Sequence, residues 1–209
     1  MSAAGFVPTA ADIATALAGL NAKLGALTAL TTGVLAAPLP TDFKLFELKV
    51  AVESLDHLSA GNKWHCSTKS ALVLSSAPRN LRQATRFTAP GLSLAVALNV
   101  NVGYAGWAWP GARHEADLAV FKASRAGKRH LRHVHVDTVI ECKYRSVIPK
   151  SILRELAFVA SQLPAMPGPG PKQVVLALPD GPWRTAEPPH YWPQAYARYG
   201  VSNWYLSLP

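Results

Sequence analysis

The sequence predicts an α/β fold: a mixed central sheet flanked by helices, with an N-terminal helical extension. Three observations carry that prediction. Segments with helical periodicity alternate with runs rich in Val, Leu and aromatic residues, the pattern of strands interleaved with single helices. Two long apolar runs separated by a basic stretch read as a hairpin, which would add antiparallel neighbours to a sheet otherwise joined by crossovers. Finally, 49% hydrophobic against 16% charged residues in a chain of 209 is enough to bury a sizeable core, which excludes a disordered chain or an acidic solvating tail.

The elements follow in order. Over residues 9–36 the chain is rich in Ala, Leu and Thr. Ile13, Leu17, Leu20, Leu24 and Leu27 recur there in steps of four and three, a heptad-like seam that suits either packing on its own domain or dimerisation. Pro38 and Pro40 end the segment, dividing the chain into an extension over residues 1–40 and an α/β domain over residues 41–209. Residues 42–58 read as a helix with a stripe of Leu45, Leu48, Val52 and Leu55; Asp42 is placed to cap it, and it carries two acids, Glu47 and Glu53.

Residues 71–75, 92–102 and 104–109 then read as strands, the first two linked by a stretch carrying Arg79, Arg82 and Arg86. Residues 113–122 and 133–144 form the expected hairpin, with SRAGKRHLR at its tip. Pro149 opens a helix running to about residue 163 with Ile152, Leu156 and Val159 on one face, and residues 172–178 and 203–208 supply two more strands.

Charge and cysteine usage narrow the function. A net charge of +9 favours a polyanionic partner, a nucleic acid ahead of an acidic membrane surface. The two cysteines, Cys66 and Cys142, are far apart, which argues against a disulfide scaffold or zinc ribbon and suits a reducing cytoplasm. No basic leader and no unbroken apolar span is visible, so neither a signal peptide nor membrane contact is expected.

The residues that carry chemistry are Asp117 in HEADLAVF and Glu141 with Lys143 in TVIECKYRS. The strand period of two puts Glu141 and Lys143 on one face. If the hairpin turns near Arg129, Asp117 falls across from Glu141, where cross-strand neighbours stand about 5 Å apart. Two carboxylates at that distance repel unless a cation lies between them, and an all-oxygen ligand set with room for water and phosphate is what magnesium prefers. A lysine beside them can orient or help deprotonate a water and offset charge building on a phosphorus centre. Together these groups suit hydrolysis of a phosphodiester.

Other readings compete. The three charges could form a surface ion-pair cluster, although charge is scarce in this chain and central strands seldom carry three charged side chains on one face. His130, His133 and His135 raise zinc as an alternative, against solvent or phosphate contact at a basic tip. Glu115 is either an additional ligand or an edge acid.

In their order these residues resemble the PD-(D/E)xK nuclease superfamily: a helix acid (Glu47), then a hairpin bearing Asp117 and Glu141-Cys142-Lys143, then a helix, then the strand QVVLALP. The match spans roughly residues 41–180, and Ala116 stands where the superfamily often has Pro. The resemblance implies a restriction-endonuclease-like core and a DNA endonuclease dependent on Mg2+, with Mn2+ as a substitute. Asp117, Glu141 and Glu47 would hold the metal, with Glu53 as the other candidate for the helix acid, and Lys143 would be the catalytic lysine. Arg125, Lys128, Arg129 and Arg132 at the hairpin tip, with Arg145, Lys150 and Arg154 beyond the Glu-x-Lys, would follow the DNA backbone. One such site cuts one strand, so a homodimer is the expected route to double-strand cleavage. An activating partner or ligand is expected for so small a chain, acting in phage defence or repair. RNA as substrate, or a non-catalytic nucleic-acid-binding or effector-assembly module of the same fold, remains the alternative.

Overall fold

A computed structural model describes residues 9–28, 41–67, 72, 80–103, 113–144, 156, 157, 160, 173–179 and 201–206. Helix α1 spans Ala10–Leu27 and opens with a capping box, the Thr9 amide donating to Asp12 Oδ2 at 2.8 Å and the Asp12 amide to Thr9 Oγ1 at 3.2 Å. Helix α2 spans Asp42–Ser59. Its cap is Thr41 and not Asp42: the Thr41 hydroxyl accepts from the Lys44 amide, and Asp42 is already inside the first turn. The helix ends at Ala60, whose positive φ of 45° turns the chain out.

The apolar seam of α1 is consumed within the chain. Leu17, Leu20 and Leu24 are buried, and with Ile13 and Leu27 they share a core with α2 and one face of the sheet. Trp64 staples the two helices: its amide donates to Leu27 O at 2.8 Å and its indole to Leu55 O at 2.9 Å. Between two apolar neighbours α2 is buried nearly all round, including Leu45, Leu48, Val52 and Leu55. Among the described residues no helix is long and apolar enough to cross a membrane.

Among the described residues eight strands form one mixed sheet: β1 (His65–Cys66), β2 (Arg86–Thr88), β3 (Leu94–Gly103), β4 (Arg113–Lys122), β5 (Leu131–Arg132), β6 (Val136–Cys142), β7 (Gln173–Pro179) and β8 (Val201–Leu206). Their order is β1-β2-β3-β4-β6-β7-β8, with β5 parallel to the far end of β3. The pairs from β1 to β6 along this path are antiparallel; β6-β7 and β7-β8 are parallel. Parallel neighbours need a crossover, and Leu156, Ala157 and Ala160 are helical residues in the one joining β6 to β7. Leu156 and Ala160 are buried against the sheet face opposite α2, so helical residues pack on both faces.

The hairpin register is centred on residue 129, with pairs Leu118↔Ile140, Ala119↔Val139 and Val120↔Thr138. A bulge follows, Phe121 pairing with Val136, so that Asp137 is the additional residue. The expected strand over residues 133–144 is therefore shorter. Residues His133–His135 form a 3-10 turn, and the tip folds back as β5 instead of closing tightly. Residues 71 and 73–75, the expected strand 104–109 and most of the helix expected after Pro149 lie outside the described residues.

In β3 and β4 the alternation of faces reverses. Val96 and Leu98 belong to the α2-side core, whereas Val100 and Val102 belong to the opposite core. On β4, Leu118 and Val120 face α2 while Ala116 faces away. The pairing itself stays regular, Leu98↔Leu118 then Val100↔Ala116, so both strands invert together at Asn99 and Asp117. Asn99 has a left-handed φ of 46°, which rotates the pleat, and Asn is the side-chain-bearing residue most at ease there.

Candidate active site

Asp117 stands at this inversion, where β4 and β6 part. The ladder between them ends at Leu118↔Ile140, and the next free amide on β6, that of Cys142, donates to Asp117 Oδ2 at 2.7 Å. A carboxylate thus replaces a strand partner and is held, nearly buried, at the mouth of the splayed pair. On its other side β6 remains locked to β7, the Lys143 amide donating to Ala177 O at 3.0 Å.

Glu141 and Lys143 follow on β6. The Lys143 ammonium donates to Glu141 Oε1 and lies 4.0 Å from Asp117 Oδ2, so the lysine bridges the two acids. Burial alone would lower the Lys143 pKa, but Glu141 and Asp117 outweigh it and hold the value above the ordinary range. The side chain is an ammonium at neutral pH. Of its three expected tasks, orienting water and offsetting charge suit that state better than removing a proton.

Glu47 reaches the same place from α2. It is 4% exposed, and its carboxyl is pushed up to about 7, first by burial and then by the Asp117 charge. Two groups oppose that rise: the Lys44 ammonium, which donates to both carboxylate oxygens at 2.8 and 2.6 Å, and the polar side chain of Asn99. Glu53, the other candidate helix acid, is taken by Lys23 of α1 at 2.9 Å, so Glu47 is the acid that meets Asp117. Glu115 is exposed where Asp117 is buried.

Cys142 registers the convergence from the opposite direction. Its buried thiol is pushed well above the usual range by desolvation and then by Asp117, Glu47 and Glu141, with only Lys143 opposing. It is a neutral thiol among carboxylates and unsuited to act as a nucleophile.

Asp117 is therefore shared by two ion pairs, Glu47 with Lys44 on α2 and Glu141 with Lys143 on β6. Among the described residues no group of three or more His, Cys, Asp and Glu side chains stands at metal-ligating spacing, and each glutamate is paired with an ammonium. The donor set nonetheless fits a hard divalent cation: every donor is a carboxylate oxygen, and Glu47 and Asp117 raise each other's cost of ionisation, which such a cation relieves. His133 is fully buried within its 3-10 turn, and the turn and the bulge at Asp137 take it and His135 off the strand face expected to carry Glu141.

Comparison of the chain with protein-family models, curated proteins and solved structures finds no match. The geometry has to carry the functional reading.

Sequence reasoning missed two of these residues. Lys44 is an unremarked cation in a helix, although a lysine three positions before a glutamate shares its face. Asn99 lies in LNVNVG, which reads as plain strand, and its only signal is the tolerance of Asn for left-handed backbone. At the hairpin tip Lys128, Arg129 and Arg132 are exposed and Arg125 is half-buried. Arg145, Lys150 and Arg154 lie outside the described residues. A groove of about 490 Å³ lined by Lys122, Ser124, His135 and Asp137 opens at the far end of β4, about 17 Å from Asp117 at strand rise.

Proposed function

We propose that this chain is a metal-dependent nuclease that hydrolyses phosphodiester bonds in DNA, with a restriction-endonuclease-like core. The observation that supports it best is the place of Asp117 between Glu47 of α2 and the Glu141–Lys143 pair of β6. Asp117, Glu141 and Glu47 would hold Mg2+ or Mn2+, which when bound would lower the pKa of a water and polarise a phosphate oxygen. Lys143 orients the attacking water and offsets charge as the phosphorus centre is attacked. Asp117 is fixed for its role by the Cys142 amide, and the exposed cations of the hairpin tip supply sequence-independent contact with phosphates. The α1 seam is spent on α2, so a homodimer cutting both strands would form through a sheet edge.

A second reading has its own support: carboxylates neutralised by Lys44 and Lys143 also describe a non-catalytic nucleic-acid-binding module. The two separate on one experiment, incubation of supercoiled and linear DNA with the protein in Mg2+, Mn2+ or EDTA, beside a Lys143→Ala variant. Metal-dependent cutting that is lost in the variant is the expected result. No cutting, with DNA bound equally by both proteins, would replace the nuclease by the binding module.

A further inference from the structure

Lys44 occupies a position that helix stability does not explain. It is the third residue of α2, where the positive end of the helix dipole opposes a cation, and where a capping box would place Glu or Gln. The order Lys before Glu is also the weaker orientation for a pair on one helix face. Yet its side chain is only 17% exposed and satisfies both oxygens of a carboxylate that is itself 4% exposed. That carboxylate faces Asp117, so Lys44 stands at the rim of the acidic cluster.

We propose that Lys44 is the resident counter-cation of Glu47, which a divalent metal must displace, and that the displaced ammonium then contacts a phosphate of the DNA. This rests on the nuclease reading. The exchange would need no bond chemistry: Lys44 would give up its two Nζ–H···O contacts, Glu47 would be left to hold the metal, and the lysine, on a four-carbon stem, would turn toward the incoming anion. In the metal-free site Lys44 offsets part of the repulsion between Glu47 and Asp117, and the same charge is later reused on substrate. Lys143 stands to Glu141 as Lys44 stands to Glu47, so each glutamate carries its own ammonium.

The test is calorimetric titration of metal-free protein with Mn2+ alone at pH 8.5, above the value of about 7 at which Glu47 titrates. Wild type is compared with Lys44→Met and Lys44→Arg, and Lys44→Gln takes the place of methionine if that variant does not fold. Removing the competitor is expected to tighten Mn2+ binding about tenfold, equivalent to about 1.4 kcal/mol, with arginine remaining near wild type. In Ca2+, the dependence of DNA binding on salt should lose about one phosphate contact in the methionine variant, a slope change of about 0.9. Equal or weaker Mn2+ binding by Lys44→Met would overturn the displacement, and an unchanged slope would overturn the phosphate contact. A wild type that binds no Mn2+ would overturn the nuclease reading as well, which separates the two failures.

Discussion

Replacing Glu47 by Gln should make the protein more stable at alkaline pH, an unusual outcome for removal of a buried, doubly bonded charge. The carboxyl titrates at about 7 in the folded chain against an ordinary value of 4.5. A folded state that holds its proton more tightly than the unfolded one gains stability from it below pH 4.5 and loses that gain as pH rises to 7. At about 1.36 kcal/mol per pH unit the loss approaches about 3 kcal/mol, or about 6–12 °C of melting temperature for a chain of this size. Gln fills nearly the same space and does not titrate. Urea unfolding of both proteins in EDTA from pH 4.5 to 8.5 should therefore show the stability difference shifting toward Gln by about 3 kcal/mol, all of it inside that window. Adding Mn2+ at pH 8 should raise the stability of wild type more than that of the variant, since metal binds only the carboxylate. Parallel stability curves would refute the argument, because they would mean that Glu47 is neither desolvated nor close to the Asp117 charge.

Two further substitutions probe the splayed strands. Asp117→Asn keeps an acceptor for the Cys142 amide, so it should fold with little loss while abolishing metal-dependent cleavage; Asp117→Ala leaves that amide unpaired and should cost about 1–3 kcal/mol more, read from chemical denaturation. Asn99→Gly keeps the left-handed backbone and removes only the polar side chain that favours the Glu47 carboxylate, whereas Asn99→Ala also strains the backbone. Melting should therefore rank alanine about 1 kcal/mol below glycine, and nuclease assays should find both impaired alike.

Much of this arrangement was legible in the residues. The alternation over residues 113–122 marks β4, and a turn centred on Arg129 gives the register up to Leu118 and Ile140, because a hairpin register is set by its midpoint even when the loop inside it is elaborate; one residue on the strands part, and Asp117 takes the Cys142 amide instead of pairing with Glu141. The loop itself was not legible. His133–His135 read as strand, but β5 returns to pair with β3, a non-local contact that leaves no trace in local pattern. The short strands β1 and β2 have too few residues to show a period. Glu47 is the expected helix acid and Glu53 its alternative on the same helix, and the packing of α1, which brings Lys23 to Glu53, separates them. The role of Asn99 depends on a single backbone angle, and periodicity does not report that.

That angle also bears on how the chain avoids misalignment while folding. An ordinary strand pair can slip by two residues and still present the same sides to the same layers. Here the reversal on β3 must meet the reversal on β4, and after any slip a turned segment would oppose an unturned one, sending Val100 and Leu118 into the wrong layers. Asn99 opposite Asp117 thus works like the notch of a key: the pairing that seats the acid at the mouth of the hairpin is also the pairing that lets both layers close.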